Sequence, residues 1–432
     1  MIAPDLLAPQ RPAPDPIARD YLLLALRLDR LIPGLVDGYF GPPGLRAQVV
    51  AESPSLPSRL RRDAAELRAR VAAEVAEPDR RRWLLAQLVA LETQARALDG
   101  DGLPYLNHVS ACFDFTPERI DEAVFSGAIA ELERVLPGDG PLAERMAAWD
   151  ARFTIPPDRL RAVIDALLPG FRERARALFG LPVGERLEVS LVRDQPWSGY
   201  NWYDGGLRSR VEINTDLPTR AVDLLGVLPH ETYPGHHLEH AWHEAHLVEG
   251  TGRLEASVLC INAPECLLSE GLADLGRRFA VPAAEEADLL VEVYRLAGLE
   301  VARDPAAAGG AAARAAATVQ VAITRATAAL GGVRGNAALL RHADGASHEE
   351  VLAYLERYLV ATPDRAAKRL EFIEHPLWRT YVFVYFEGER LLSRWLERVP
   401  PEDRARRFRR LLTEQLTPGA ILAEIADPTA TA

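Results

Sequence analysis

The sequence lacks the features that build disulfide frameworks, membrane spans or nucleic-acid surfaces. Three of its 432 residues are cysteine, and an odd, sparse set of this kind suits a reducing compartment. No stretch approaches the ~18 uninterrupted apolar residues of a transmembrane helix. The formal net charge of −12 disfavours nucleic acid, which requires a concentrated basic face. We therefore expect neither a nucleic-acid partner nor a membrane partner.

Most of the chain has the apolar spacing of amphipathic helices. Residues 1–15 are rich in proline and lack the basic and apolar segments of a secretory signal, so we expect a flexible arm and a cytoplasmic protein. Helical periodicity then extends through residues 16–180, where proline and glycine pairs separate the helices. We predict an N-terminal region of several antiparallel helices there, and a flexible tail at residues 426–432.

The pattern changes near residue 181. Residues 186–193 and 209–214 alternate with a period close to two, and an aromatic segment rich in turn formers, 197–206, lies between them. This arrangement predicts a small antiparallel β element near residues 186–215, with the aromatic segment as its loop. Helical spacing then returns, so the fold class is predicted to be mainly α, with a second region at residues 181–425.

Six of the ten histidines fall between residues 230 and 246. Imidazole is the commonest zinc ligand, but the usual H-E-x-x-H pattern of zincins is absent. Position i+4 from His230 is Pro234, and the next histidine, His236, would lie roughly 240° around a regular helix. Because Pro234 cannot donate a backbone hydrogen bond and Gly235 permits unusual angles, a break there could return His236 to the side of His230. Glu231 would then be the general base.

Two other interpretations of this segment remain open. His236, Glu239 and His240 match the inverted pattern H-x-x-E-H, which needs no distortion of the helix. A crowded stretch matches some spacing by chance, however. The third interpretation is a histidine-rich surface helix with adventitious affinity for metals.

The segment from His230 to His236 resembles the H-E-x-x-P-G-H signature of a bacterial family known as domain of unknown function 885, whose site is similar to that of gluzincin metallopeptidases. The family's second signature, E-G-W-A-x-Y, is similar to the segment that begins at Glu270, with Leu272 and Leu275 replacing the tryptophan and the tyrosine. The resemblance covers residues 180–425. It implies a large helical zincin-like (gluzincin-type) fold.

The resemblance also implies a ligand set. His230, His236 and Glu270 would hold one Zn²⁺ per chain, with an open position for water. Glu231 would take the proton of that water and pass it to the leaving amine. Asp274, four residues after Glu270 on the same helix face, could accept a hydrogen bond from a ligating histidine and so fix its tautomer.

Further candidates surround this predicted centre. A tetrahedral oxyanion needs a hydrogen-bond donor, for which we consider Tyr385 first and His237 next. We also expect His237, like Asp274, to contact a metal-ligating residue. The expected substrate-binding residues are Tyr200 in the aromatic segment and Tyr381 and Arg379 near the C-terminus. Arg379 could bind a substrate carboxylate through two parallel hydrogen bonds.

The sequence therefore predicts a zinc-dependent hydrolase, a metallopeptidase that cleaves short peptides or amides. A homodimer is compatible with this prediction. Two alternatives are a degenerate zincin fold kept as a binding or scaffold protein, and a pathway-specific enzyme that uses the same site on another amide or ester.

Overall fold

The computed structural model describes residues 15–195, 197–302 and 310–427. Apart from Asp15, the predicted N-terminal arm lies outside the described residues, as does the predicted tail from residue 428. Within the described ranges the chain is mainly α-helical, which confirms the predicted fold class. In the same ranges, no helix combines the length and the apolar character needed to cross a bilayer.

The described residues form twenty α-helices, numbered here in chain order. They are α1 (Pro16–Asp29), α2 (Pro43–Ala51), α3 (Pro57–Glu74), α4 (Pro78–Leu98), α5 (Tyr105–Phe113), α6 (Glu122–Val135), α7 (Leu142–Arg152), α8 (Pro157–Phe179), α9 (Ala221–Glu231), α10 (His236–Trp242), α11 (Glu249–Thr251), α12 (Pro264–Ala280), α13 (Glu286–Leu296), α14 (Ala311–Ala329), α15 (Val333–His342), α16 (His348–Tyr358), α17 (Pro363–Glu374), α18 (Val384–Leu396), α19 (Arg404–Thr413) and α20 (Pro418–Ala426). A π-helical turn, His243–Val248, connects α10 to α11.

Local sequence explains where many of these helices begin. Proline stands in the first turn of α1, α3, α4 and α12, where its missing N–H costs nothing and its fixed φ suits the helix. Asp15 also caps α1, because its side chain accepts a hydrogen bond from the N–H of Ile17 at 2.8 Å. Apolar residues from helices on both sides of residue 180 then join one continuous hydrophobic core.

The strands form two small sheets. In one, β1 (Val36–Tyr39) pairs antiparallel with β5 (Val258–Cys260). In the other, β2 (Arg186–Val192), β3 (Gly199–Tyr203) and β4 (Arg208–Asn214) lie in the order β2-β4-β3.

The predicted β element near residues 186–215 is present, with one difference in its pairing. β3 and β4 form the expected antiparallel pair, but β2 runs parallel to β4. The aromatic segment that the sequence suggested was a loop contains β3 itself. Because β3 reverses the chain direction between β2 and β4, those two strands point the same way.

Helix α12 occupies a central position. It packs against α9 and α18, and also against α4, α5 and α8 from the N-terminal half. Its closest approach is to α18, where a Cβ on Gly271 would lie 2.4 Å from the backbone carbonyl carbon of Gly388. Glycine at both positions therefore lets the two helices come into backbone contact. This contact brings the start of α18 close to Glu270.

Candidate metal centre

The helix breaks at the Pro-Gly dipeptide. Helix α9 ends at Glu231, the Tyr233–Pro234 peptide bond is cis, and α10 begins at His236. The N–H of Gly235 donates to the carbonyl oxygen of Pro229 at 3.1 Å. A Cβ at Gly235 would lie 1.8 Å from the carbonyl oxygen of His230, so the chain can fold back here only with glycine. The break expected from the sequence is present.

The break brings three potential metal ligands together, here called the ligand triad: His230, His236 and Glu270. Their ligand atoms all lie within 4.8 Å of one another. His230 Nε2 is 3.6 Å from Glu270 Oε2, and His236 Nε2 is 3.7 Å from Glu270 Oε1. The two imidazole rings are perpendicular, with centroids 4.7 Å apart. Residues from α9, α10 and α12 thus converge on one point.

The triad has the dimensions of a tetrahedral zinc site. Zinc bonds of about 2.0–2.1 Å place neighbouring ligand atoms roughly 3.4 Å apart in tetrahedral geometry. The two measured nitrogen–oxygen separations exceed that value by only 0.2–0.3 Å. Two imidazoles and one carboxylate are also a donor set of catalytic zinc sites, which leave the fourth position for water or substrate. The residues present therefore fit one Zn²⁺ ion.

Each histidine of the triad has a carboxylate partner on its other nitrogen. Asp274 Oδ1 lies 2.9 Å from Nδ1 of His230, as the sequence suggested. Glu239 Oε2 lies 3.3 Å from Nδ1 of His236 and also accepts a hydrogen bond from Ser269 Oγ at 2.7 Å. Such partners fix the tautomer so that Nε2 points at the metal position, and they make the imidazole a better ligand.

The electrostatic potential at the triad favours a cation. Burial alone would lower the pKa of His230, but the hydrogen bond and charge of Asp274, with smaller contributions from Glu231 and Glu270, raise it to about 10. Burial raises the pKa of Glu270, while the neighbouring histidines act in the opposite direction. The attraction of the carboxylates for protonated His230 therefore exceeds the cost of burying its positive charge. A divalent cation experiences the same stabilisation.

Glu231 lies beside the triad at the end of α9. Its charge acts on both histidines and on Glu270. Its backbone carbonyl accepts a hydrogen bond from the Asn201 side chain at 2.7 Å. A Cβ on Gly199 would lie 3.2–3.3 Å from Cγ and Oε1 of Glu231, so β3 passes directly over this carboxylate. Strand β3 and α9 thus fix its position.

The predicted tyrosines surround the same point. The hydroxyl of Tyr381 donates to Glu270 Oε1 at 3.4 Å, and the ring of Tyr385 meets that of Tyr381 edge-on, with centroids 5.3 Å apart. Tyr200 donates to Asp37 Oδ1 at 2.7 Å, and the charges of Glu231 and Glu270 reach it. Burial raises the pKa of Tyr200 and of Tyr385, so both remain protonated donors at neutral pH.

His237 is turned away from the triad, contrary to its predicted contact with a metal-ligating residue. Its Nε2 is 2.8 Å from Glu185 Oε2 and its Nδ1 is 2.8 Å from Ser209 Oγ, so both ring nitrogens are engaged. Adjacent residues on a helix point about 100° apart, which turns His237 away when His236 faces the metal position. Glu185 also accepts a hydrogen bond from the Tyr233 hydroxyl at 2.5 Å. These contacts hold both sides of the Pro-Gly break.

Arg379, predicted to contact a substrate carboxylate, is turned towards α5. Its Nη2 is 3.3 Å from His108 Nδ1, and its carbonyl oxygen accepts a hydrogen bond from Tyr105. These partners belong to α5 in the interior. Burial, followed by the charge of Arg379, lowers the pKa of His108 to about 4.

A second grouping lies beside the first. Ligand atoms of His236, Glu239 and His240 also fall within 4.8 Å of one another. The inverted motif is therefore a second candidate metal site. Next to it is a polar cavity of about 300 Å³, whose lining includes His240, Glu239, Glu265, Asp37 and Tyr203. The two groupings share His236, whose Nε2 lies 3.7 Å from Glu270 Oε1 and whose Nδ1 lies 3.3 Å from Glu239 Oε2.

Several contributors to this centre were not identified from the sequence. Ser269 directly precedes Glu270, so proximity to the motif was an available signal. Glu239 was named from the sequence only as part of the inverted pattern, and its contact with His236 Nδ1 was not expected. Glu185 and Ser209 carry no such signal, because they belong to the β element and reach the Pro-Gly break only through the fold.

Comparisons with known proteins leave the family open. No family model matches the chain, and no curated protein matches it. One solved structure that matches is that of a presumed lipoprotein from Colwellia psychrerythraea, with a TM-score of 0.48 and 16% sequence identity. The match covers 85% of this chain and 65% of that one. A likeness at this level carries no argument about function, so the family resemblance, the cytoplasmic location and the homodimer stay predictions.

Proposed function

We propose that this chain is a zinc-dependent hydrolase, a peptidase that cleaves short peptides or amides. One observation carries the proposal: the Pro-Gly break sets Nε2 of His230 and of His236 within 3.7 Å of the Glu270 carboxylate, with Glu231 beside them. A carboxylate in this position has the role of the general base in metal-dependent hydrolysis.

A bound zinc ion would supply Lewis acidity and a water of lowered pKa. The residues of this chain would transfer the protons, stabilise the oxyanion and hold the metal ligands in place. Glu231 takes a proton from the attacking water and passes it to the leaving nitrogen. Tyr381 and Tyr385 remain protonated and present hydroxyl donors on the Glu270 side, where the carbonyl oxygen gains negative charge. Asp274 and Glu239 keep the two imidazoles in place.

The experiment is a peptide-library cleavage assay on zinc-loaded protein, read by mass spectrometry. We expect the wild type to cleave a subset of peptides. Glu231→Gln should keep the zinc and lose roughly 10²–10⁴-fold in turnover, the usual contribution of a general base. Glu188→Gln, on the exposed face of β2, is the matched control and should behave like the wild type. Full activity of Glu231→Gln contradicts the mechanism.

The inverted site is the second candidate, because its three groups also meet in space. In that case Glu239 would be the base, and His230 would be dispensable for the metal. However, Glu239 already accepts hydrogen bonds from Ser269 and interacts with His236, which suits a positioning group better than a free base. One variant distinguishes the two arrangements. His230→Ala loses zinc in the proposed site and retains it in the inverted one.

A binding protein with a degenerate site is the remaining alternative. It would hold stoichiometric zinc or none, and cleave no member of the library. Turnover that depends on Glu231 excludes it.

A further inference from the structure

One arginine of α15, Arg334, lies over a tyrosine ring near the metal centre. The guanidinium carbon of Arg334 lies 5.4 Å from the ring centroid of Tyr385. The Tyr385 ring contacts Tyr381, whose hydroxyl donates to Glu270. Two tyrosines in contact therefore connect Arg334 to a residue of the ligand triad.

Arg334 has no carboxylate partner among the described residues. The charge of Asp274 reaches it through space without forming an ion pair, and Arg369 adds a second positive charge nearby. Burial, followed by the charge of Arg369, lowers the pKa of Arg334 to about 10, but the side chain stays charged at neutral pH. A half-buried guanidinium without an ionic partner is costly, so a partner from outside the chain would be well bound.

The backbone next to Arg334 is tightly packed. A Cβ on the neighbouring Gly335 would lie 2.4 Å from the ring of Phe386, so α15 lies directly against α18 at this point. Since Tyr385 belongs to α18, the same packing holds Arg334 over the Tyr385 ring. The guanidinium is thus presented at a defined position rather than on a free arm.

We propose that Arg334, with the positive charge of Arg369 nearby, binds a free carboxylate of the substrate. The substrates are then peptides or amides that carry a free carboxyl group on the side of the scissile bond nearest Tyr385, as the free C-terminus of a short peptide would provide. This inference rests on the proposed function and narrows its substrate class. Arg334 thereby takes the carboxylate-binding role that the sequence suggested for Arg379, whose guanidinium faces His108 in the interior.

The chemistry of a guanidinium stacked on an aromatic ring suits a carboxylate better than other anions. A guanidinium presents parallel N–H groups that match the two oxygens of a carboxylate, and stacking on an aromatic ring leaves that edge open. Hydrogen bonds to charged groups change affinity by about 10- to 100-fold. The same range is expected for removal of either partner, the guanidinium or the carboxylate.

The first test compares short N-acetylated peptides that end in a free acid with the same peptides that end in an amide. We expect kcat/KM of the wild type to favour the acids by about 10- to 100-fold. Arg334→Met should abolish this preference mainly by raising KM for the acids. Arg334→Lys should keep part of it. Arg278→Met is the matched control, since Arg278 pairs with Glu389 on the surface, and should keep the full preference.

The second test separates this inference from the proposed function. Binding of the same acid and amide peptides is measured by calorimetry on zinc-loaded Glu231→Gln protein, which needs no turnover. Tighter binding of the acids that is lost with Arg334→Met supports the carboxylate site, even if no peptide is cleaved. Equal binding of acids and amides, or no detectable binding of the acids, overturns it. Thermal unfolding of each variant confirms that it is folded.

Discussion

Among the positions at the metal centre, Gly235 is the one where one added carbon atom should weaken metal binding and stability the most. A Cβ there would lie 1.8 Å from the carbonyl oxygen of His230, 2.5 Å from its carbonyl carbon and 2.6 Å from the carbonyl oxygen of Pro229. All three obstacles are backbone atoms, so no side chain can rotate away. Gly235→Ala therefore requires the segment between α9 and α10 to open.

The required movement is large compared with what a metal site tolerates. An ordinary carbon–oxygen contact is about 3.3 Å, so the backbone of Gly235 and that of His230 must separate by about 1.5 Å. Metal–ligand distances vary by only about ±0.2 Å. The movement should therefore remove His230 or His236 from the coordination sphere and weaken zinc binding at least about 100-fold. Overpacking should also destabilise the fold by about 1–3 kcal/mol.

The assay is zinc competition against a chromogenic chelator, with circular dichroism and thermal unfolding on the same samples. Gly226→Ala is the matched control, because Gly226 lies inside α9 and a Cβ there meets nothing within 4 Å. It should bind zinc normally and gain about 0.5–1 kcal/mol from helix propensity. Wild-type zinc affinity in Gly235→Ala would refute the reasoning that the close return of the chain builds the site.

Three other predictions concern the supports of the centre. Asp274→Asn should weaken zinc binding about 10- to 100-fold in the same competition assay, because it removes the carboxylate partner of His230; unchanged affinity would argue against that role. Burial alone would raise the pKa of Glu185, but hydrogen bonds from its partners, including Tyr233, hold it at about 2. Because this pKa is depressed, its stabilisation is complete above pH ~4.5 and is lost as the pH falls towards 2. Glu185→Gln should thus lower the free energy of unfolding at pH 7 by up to about 3 kcal/mol and flatten its decline below pH 4.5 in urea titrations; an unchanged acid profile would count against this. Gly271→Ala, which would press on the α18 backbone at 2.4 Å, should destabilise by about 3 kcal/mol, and an unaltered Tm would show that the two helices can separate at little cost.

The elements that depend on local sequence were the most predictable. Apolar spacing indicated the helices, and the Pro234-Gly235 dipeptide indicated a break because both residues act on the backbone where they stand. Glu270 was reached only through its resemblance to a family signature. Spacing along the chain does not tell which distant helix returns to His230, because that depends on the packing of α12.

The errors arose where neighbours in sequence were taken as neighbours in space. Arg379 lies two residues before Tyr381, and residues two apart in a helical turn point in different directions, so only Tyr381 reaches the metal centre. His237 differs from His236 for the same reason. Strand β3 was not predicted, because its turn formers and aromatic residues suggested a loop. Arg334 carried no local signal, since its role depends on how α15 packs against α18.

The most direct measurement of the central claim is the zinc content of untagged protein, determined by elemental mass spectrometry after dialysis against a weak chelator. Wild-type protein should retain one zinc per chain. His230→Ala, His236→Ala and Glu270→Ala should each retain close to none, while the cavity variant His240→Ala should retain one. Stoichiometric zinc in His230→Ala together with its loss in His240→Ala would contradict the proposed triad and move the metal to the inverted site.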